Sequence, residues 1–362
     1  MKYFDAFLKK SKLIKVTIMD VMILTMALGL YILSKISVSF SDFYTEKIYN
    51  VWVSIIGRIM GVFPFSVTEI LLYLLLLLTI SYTMVVFVAR AVRKRIYFCT
   101  LLTGITVIVL LYVLNCGINY GHTSYSKRAE MKMDNYETDE LYELCVYLTR
   151  QVNYYAPIQK RDGKGVMYEK DIQIKAKETM IKIGKEDRLL YGFYPVPKKL
   201  INSKLLSVQQ LAGIYSPFTI EANYNGDMPD FEQAFTTCHE LSHLRGYMQE
   251  EEANYIAFIS CINSDYDSFK YGGYLEGWLY ATNELYVRDA EAYTKLTQSL
   301  CEEAVVDLEY NNSFWDRYTS KVAEISDKVN DTYLKANGQD NGVKSYDRIV
   351  GMMVEWYKGK AE

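Results

Sequence analysis

The stretch from Ile70 to Ala89 reads ILLYLLLLLTISYTMVVFVA and contains no charged residue. As a helix it is long enough to cross the roughly 30 Å of hydrocarbon in a bilayer. Apolar runs of this length seldom occur as core helices of soluble proteins. The stretch therefore predicts a membrane-spanning helix and places the chain among mainly α membrane proteins.

Two further stretches predict spans. Residues 96–114 form a second apolar run, and residues 16–36 form a weaker one because Asp20 and Lys35 lie near its ends. Charged side chains at such positions can reach the membrane interface. No small-x-small cleavage site follows the first span, so we expect an uncleaved anchor. The sequence thus predicts three spans, at about residues 16–36, 70–89 and 96–114.

Basic residues indicate the orientation, since loops rich in Lys and Arg are retained in the cytoplasm. They cluster before the first span and between the second and third, at Lys9, Lys10, Lys12, Lys15, Arg90, Arg93, Lys94 and Arg95. The loop between the first two spans has mixed charge. We expect a multi-pass protein of the cell membrane with a cytoplasmic amino terminus and an extracytoplasmic carboxyl-terminal domain.

A change in composition after Asn115 predicts two parts, a membrane domain over residues 1–118 and a mostly helical (α+β) domain over 119–362. Residues 51–65 are expected to form a helix along the outer interface, and residues 213–225 an extended segment. The lipid bilayer is the one partner this composition indicates. A net charge of -3 gives no reason to expect nucleic acid. Cys238 and Cys261 are expected either to form a disulfide or to be buried thiols.

Two of the three histidines of the chain stand in one pentapeptide, His239-Glu240-Leu241-Ser242-His243. On a helix this i, i+4 spacing puts both imidazoles on one face. Imidazole nitrogens are preferred zinc ligands, and the adjacent carboxylate of Glu240 can accept a proton from water activated by the metal. The alternative is that both histidines are ordinary helix residues.

A third ligand requires the helix to break after His243. In an unbroken helix Glu250 would lie about 10 Å further along the axis, too far for zinc bonds near 2 Å. Gly246 is a plausible helix end, so we expect a break over residues 246–249. A second helix then brings Glu250 back to the metal, with Glu251 and Glu252 as fallbacks. Asn254 follows Glu250 at i, i+4 and is expected to hold a histidine ring.

These residues resemble the zincin metallopeptidases, in particular the gluzincin pattern in which Glu-x-x-Ala-Asp/Asn on a second helix supplies the third ligand. The whole chain resembles a bacterial membrane family known as domain of unknown function 3810. Three stretches carry that likeness: Pro64 to Glu69, Gly213 to Asn225, and Cys238 to Asn254. The zincin resemblance implies a zincin-like outer domain with Zn2+ on His239, His243 and Glu250 and with Glu240 as general base. The spacer between His243 and Glu250 is shorter than in well-known gluzincins.

The resemblance implies a membrane-anchored zinc-dependent metallopeptidase that hydrolyses a peptide or protein substrate. Zincins place a substrate-pairing edge strand just upstream of the motif, which here falls on residues 218–225 with Asn223 as a contact. Tyr271, Tyr274 or Arg245 is expected to stabilise the oxyanion, and Tyr274 is also counted as a substrate-binding residue. One alternative is a catalytically silent binding or structural protein with a stabilising metal. An intramembrane protease is disfavoured, because acidic residues flank the motif and the spans lie far away in sequence.

Overall fold

A computed structural model describes residues 2–88, 94–132, 136–339 and 346–361 of the chain. This part of the chain is mostly helical, as the sequence predicts. The long apolar helices are α1 (Lys2–Ile36), α4 (Val67–Phe87) and α5 (Lys94–Tyr112). The segments long and apolar enough to cross a membrane are Lys12–Ile36, Val67–Phe87 and Lys94–Gly121. The three predicted spans are confirmed as candidate membrane helices, whereas Ala89, Arg90 and Arg93 lie outside the described residues.

The third span continues beyond its predicted end at residue 114. A π-helical turn (Val113–Gly117) and a 3-10 turn (Asn119–Gly121) extend it. The polar residues there do not end the helix because they have partners inside the protein: the Asn115 amide donates to the Pro217 carbonyl at 2.7 Å. Asp20 in the first span is buried against the third span, where it accepts a hydrogen bond from Thr103 at 2.8 Å.

The segment between the first two spans contains α2 (Val38–Phe43), a π-helical stretch (Tyr44–Tyr49) and α3 (Asn50–Met60). The predicted helix over residues 51–65 ends early, at Met60, where Gly61 and then Pro64 follow. One face of α3 is exposed and apolar (Val51, Trp52, Ile55, Ile59), which suits a membrane interface. On the other face Val53 is fully buried in a core shared with the carboxyl-terminal part.

The remaining helices belong to the carboxyl-terminal part of the chain, after residue 121. In chain order the helices are α6 (Tyr125–Arg128), α7 (Thr138–Tyr155), α8 (Ile172–Glu186), α9 (Lys204–Ser207), α10 (Asp230–Leu244), α11 (Glu250–Ile262), α12 (Asp267–Arg288), α13 (Ala290–Gln298), α14 (Glu302–Asp316), α15 (Lys321–Ala336) and α16 (Tyr346–Ala361).

A small three-stranded sheet precedes α10. Its strands are β1 (Lys198–Lys199), β2 (Gly213–Ser216) and β3 (Glu221–Tyr224), in the order β1-β3-β2. β3 is parallel to β1 and antiparallel to β2, with Ile214 opposite Asn223. The predicted extended segment is therefore confirmed. The prediction that residues 218–225 supply the free edge is wrong, because β3 is the central strand and β1 and β2 are the edge strands.

Helix α10 lies at the centre of the carboxyl-terminal part, packed against α8, α11, α12 and the sheet. Its apolar side chains Phe231, Leu241 and Leu244 are fully buried. Cys238 of α10 and Cys261 of α11 are also fully buried, and both are free thiols, the second of the two states expected for them. The core thus holds the helix that carries the histidine pair, which fixes the position of that pair.

Candidate metal centre

The predicted break between the two motif helices is confirmed. α10 ends at Leu244 and α11 begins at Glu250. Gly246 between them has φ +103°, a left-handed conformation that favours glycine. The Gly246 amide donates to the His243 carbonyl at 2.9 Å, and the Tyr247 amide donates to the Ser242 carbonyl at 3.3 Å. These bonds close the end of α10 and turn the chain back toward the histidines.

The turn brings Glu250 against both imidazoles. Nε2 of His239 lies 3.3 Å from one Glu250 oxygen, and Nε2 of His243 lies 3.6 Å from the other. One ligand atom from each of the three residues lies within 4.8 Å of the other two. Ligands bound tetrahedrally at about 2.05 Å stand about 3.3 Å apart. The three side chains are thus spaced to share a small divalent cation.

The neighbouring carboxylates are engaged elsewhere. Glu251 accepts hydrogen bonds from Arg348 and Gln339, each at 2.8 Å. Glu252 accepts from the amide and hydroxyl of Ser126, at 3.0 and 2.7 Å. Of the three candidates, Glu250 is therefore the one beside the histidines, and the two fallbacks are excluded.

The two imidazoles differ in how they are held. Nδ1 of His243 lies 2.8 Å from the Tyr247 carbonyl, which orients the ring with Nε2 toward Glu250. Nδ1 of His239 is buried and has no hydrogen-bond partner among the described residues. Asn254 lines the same cleft as the histidines but does not bond to that nitrogen. Its predicted role of holding a histidine ring is thus absent from this structure.

The charges of the site are strongly coupled. Burial lowers the pKa of His243, but the charge of Glu250 and its hydrogen bond outweigh this and raise that pKa to about 9. Burial raises the pKa of Glu250, and the two histidines more than reverse that effect and hold it well below its usual range. Without a cation the cluster therefore forms an ion pair with a proton on His243. A metal ion has to displace that proton, so metal affinity falls at lower pH.

Glu240 lies next to this cluster and has a different environment. It is 4% exposed, and its Oε2 atom is buried with no hydrogen-bond partner within the described ranges. Burial raises its pKa to about 7, against the opposing charges of His239 and His243. A carboxylate with a pKa near 7 and a free oxygen is suited to accept and return a proton.

The histidine pair and Glu240 line a cleft with a volume of about 620 Å³. One wall is the edge strand β2, where Gly213 lies against Glu240. Tyr112 and Cys116 from the third span also line the cleft. Helix α15 contributes Asn330, Tyr333 and Leu334. The site is therefore built jointly by the carboxyl-terminal part and the third candidate span, although these segments are far apart in sequence.

Several predicted residues do not reach the cleft. Asn223 is fully buried in the central strand, where its amide donates to the Ile214 and Glu221 carbonyls. Tyr274 stacks on Tyr155. The remaining two oxyanion candidates have other partners: the Tyr271 hydroxyl donates to Asp307, and Arg245 donates to Asn50 and the Tyr191 carbonyl. None of these four residues lines the cleft.

The sequence did not indicate that Gly213, the end of the third span and α15 line the cleft. The sequence GIYS at β2 is a short run with no alternation strong enough to distinguish an edge strand from a central one. Three tyrosines that line the cleft come from the third span and α15: Tyr112, Tyr120 and Tyr333. Their neighbours in the sequence do not indicate that they belong to one site, because only tertiary packing brings them together. The Tyr333 hydroxyl lies 3.3 Å from the Cys116 Sγ atom and 3.4 Å from the Tyr120 hydroxyl.

Comparison with known proteins agrees with the likeness drawn from the three sequence stretches. No curated protein and no solved structure matches the chain. A family model does match, over residues 44–354, which includes the second and third spans, the sheet and both motif helices. Because this match covers most of its length, the chain belongs to the family described as Protein of unknown function (DUF3810).

Proposed function

We propose that this protein is a membrane-anchored zinc-dependent metallopeptidase. The observation that carries the proposal is the approach of Glu250 to both imidazoles, beside a buried Glu240 in an open cleft. His239, His243 and Glu250 would hold the zinc ion and leave a fourth position free, which is the ligand number of catalytic zinc sites. A zincin-like outer domain is part of this proposal.

A bound zinc ion would lower the pKa of a water molecule and polarise the substrate carbonyl. Glu240 would accept the proton of the attacking water on its free Oε2 atom and deliver it to the leaving amine. Its raised pKa places the two protonation states close in energy near neutral pH. Tyr247 would support the chemistry through its carbonyl, which keeps His243 oriented.

The edge strand β2 would bind the substrate backbone. Within the described residues it has one neighbouring strand, β3, so its other edge is free to pair with an extended peptide. Gly213 and Ile214 of β2 line the cleft beside Glu240. A peptide added to this edge would therefore pass over the proposed zinc site. This assigns to β2 the role that the sequence suggested for residues 218–225.

The distribution of basic residues supports a topology with a cytoplasmic amino terminus, three crossings of the cell membrane and the cleft on the outer side. Lys12 and Lys15 precede the first span, and Lys94 and Arg95 begin the third. The outer ends of the first and third spans would then lie beside the cleft. Substrates would be extracytoplasmic polypeptides.

The full-length protein in detergent tests the proposal. Glu240→Gln should retain one zinc per chain, measured by elemental analysis, and lose hydrolysis of a peptide library by about 10²- to 10⁴-fold. Glu291→Gln makes the same chemical change at an exposed position of α13 and should alter neither quantity. If the wild-type protein cleaves no peptide while zinc removal unfolds it, the metal is structural and the proposal fails.

A further inference from the structure

Helix α15 exposes an apolar stripe. Val322, Ile325 and Val329 are 50%, 61% and 64% exposed. Their spacing of three and four residues places them on one side of the helix. Lys321 and Lys328 flank this stripe and are also exposed. Apolar side chains flanked by lysine are typical of helices that lie in the headgroup region of a membrane.

The carboxyl end of α15 is attached to the outer ends of two spans. The Tyr31 hydroxyl of the first span donates to the Ala336 carbonyl at 3.1 Å, and Lys35 donates to the Asn337 carbonyl at 2.7 Å. Tyr112 of the third span donates to the Asn337 side chain at 2.9 Å. This end of the helix therefore lies at the depth where both spans leave the hydrocarbon.

The other end of α15 is also linked to a span. The Gln210 side chain donates to Thr319, just before the helix, at 3.5 Å. Gln210 lies just after α9. Just before α9, the backbone amides of Ile201 and Asn202 donate to the carboxylate of Glu69, at 2.7 and 2.9 Å. Glu69 lies in the first turn of the second span. The carboxyl end of α15 thus bonds directly to two spans, and its amino end is connected to the second span through residues 201–210. In this arrangement the helix lies along the membrane surface.

We infer that the outer leaflet of the bilayer covers the apolar stripe of α15, and that the cleft consequently accepts polypeptides tethered to that same membrane. The stripe lies on a helix whose carboxyl end is bonded to the first and third spans, and the flanking lysines complement lipid phosphates. The neighbouring face of α15, with Asn330 and Leu334, lines the cleft. The mouth of the cleft is therefore bounded by a helix at the lipid surface. The substrate class rests on the proposed peptidase function, whereas the lipid contact does not.

Nitroxide labels test the lipid contact without reference to activity. The full-length protein, with the half-buried Cys99 and Cys301 replaced by serine, is labelled at Ile325→Cys or at Glu324→Cys and placed in vesicles of phosphatidylethanolamine and phosphatidylglycerol. The Ile325 label should collide more often with oxygen, which concentrates in lipid, than with an aqueous nickel complex. The Glu324 label, about 100° around the helix, should show the reverse. Equal exposure of both labels to the nickel complex would overturn the inference.

Cleavage assays test the substrate class. One peptide sequence is supplied either free or attached to a lipid anchor in the same vesicles. The anchored form should be cleaved at least about tenfold faster, as expected when both partners share a surface. Ile325→Ser should reduce this advantage and leave cleavage of the free peptide unchanged. Equal rates for both peptides would refute the substrate class. If neither peptide is cleaved, the peptidase proposal fails, while the label result still decides the lipid contact.

Discussion

Gly213 on the edge strand lies directly against the carboxylate of Glu240 on α10, so that a Cβ atom at residue 213 would clash with Oε1. The added Cβ would also lie 2.7 Å from Cγ and 2.8 Å from Cδ of Glu240, so the whole side chain has to shift. Gly213→Ala should therefore displace the Glu240 carboxylate and lower hydrolysis at least about tenfold, as expected for a general base moved by about 1 Å. Zinc content should remain unchanged.

Gly163→Ala is the matched control for that change. Gly163 has no heavy atom within 4 Å of the position of an added Cβ. Both zinc content and hydrolysis should equal those of the wild type. Normal hydrolysis in the Gly213 variant would show that the carboxylate of Glu240 does not need its present position.

Glu250 and Glu251 are adjacent but have different partners, which allows a direct comparison. Glu250→Gln removes the carboxylate that lies beside both histidines and should lower zinc affinity by at least about 10²-fold, since neutral amides are poor zinc ligands. Glu251→Gln should keep full zinc occupancy. It weakens the bond to Arg348 and should lower the free energy of unfolding by about 1 kcal/mol. Titration of the metal-free proteins with zinc distinguishes the two. Equal loss of affinity in both would contradict the assignment of Glu250.

Glu221 should make the stability of the protein depend on acid pH. Burial raises its pKa, but the ion pair with Lys198 and hydrogen bonds from Thr68 and Thr219 outweigh this and lower the pKa below its ordinary value of 4.5. Its stabilising contribution is therefore fully present above pH 4.5 and is lost as the pH falls through the lowered pKa of the folded state. Thermal unfolding in detergent should show this loss in the wild type.

Two variants check the role of Glu221. Glu221→Gln should already be destabilised at neutral pH, by about 3 kcal/mol, because it leaves Lys198 buried without a countercharge. Its stability should then change less with acid than that of the wild type. Asp265→Asn removes an ion pair with Lys182 at the surface and should cost less than about 1 kcal/mol. Identical acid profiles for the wild type and Glu221→Gln would contradict the prediction.

Tyr49 joins the segment between the first two spans to α10, the helix that carries the histidine pair. Its hydroxyl donates to the Leu244 carbonyl at 3.1 Å and lies 2.8 Å from the Tyr215 hydroxyl. Tyr49→Phe should cost about 1 kcal/mol of unfolding free energy through the lost hydrogen bonds. Tyr49→Ala should cost about 3 to 5 kcal/mol, because it also leaves a cavity in a fully buried position. Denaturant titrations of the full-length protein measure both. Equal losses of unfolding free energy in the two variants would show that packing of the Tyr49 ring does not stabilise the protein.

The histidine pair, Glu240 and Glu250 could be predicted from sequence because their relationship is local. Helical spacing sets which side chains share a face, and Gly246 marks where the helix has to end. The three candidate spans could be predicted for a similar reason, since length and apolar composition suffice. The choice of Glu250 over Glu251 and Glu252 was less secure, because the bond from Asn254 to a histidine ring that was expected with it is absent.

The walls of the cleft could not be predicted in this way. Whether β2 or β3 lies at the edge depends on where Lys198 and Lys199 pair, which a two-residue strand does not reveal. Tyr274 and Arg245 are of suitable residue types, but their direction is decided by packing against Tyr155 and Asn50. The approach of Tyr112 to the site depends on tertiary contacts alone, so distance along the sequence was a poor guide to distance in space.

The hydrogen bond between Tyr49 and Leu244 joins residues 195 positions apart. A ribosome that inserts the chain from its amino terminus makes Tyr49 long before Leu244. In the proposed topology, the segment around Tyr49 emerges outside while the residues of α10 are still unsynthesised. The metal centre would then be completed only after secretion of the later residues. Newly made chains would carry no assembled active site within the cytoplasm.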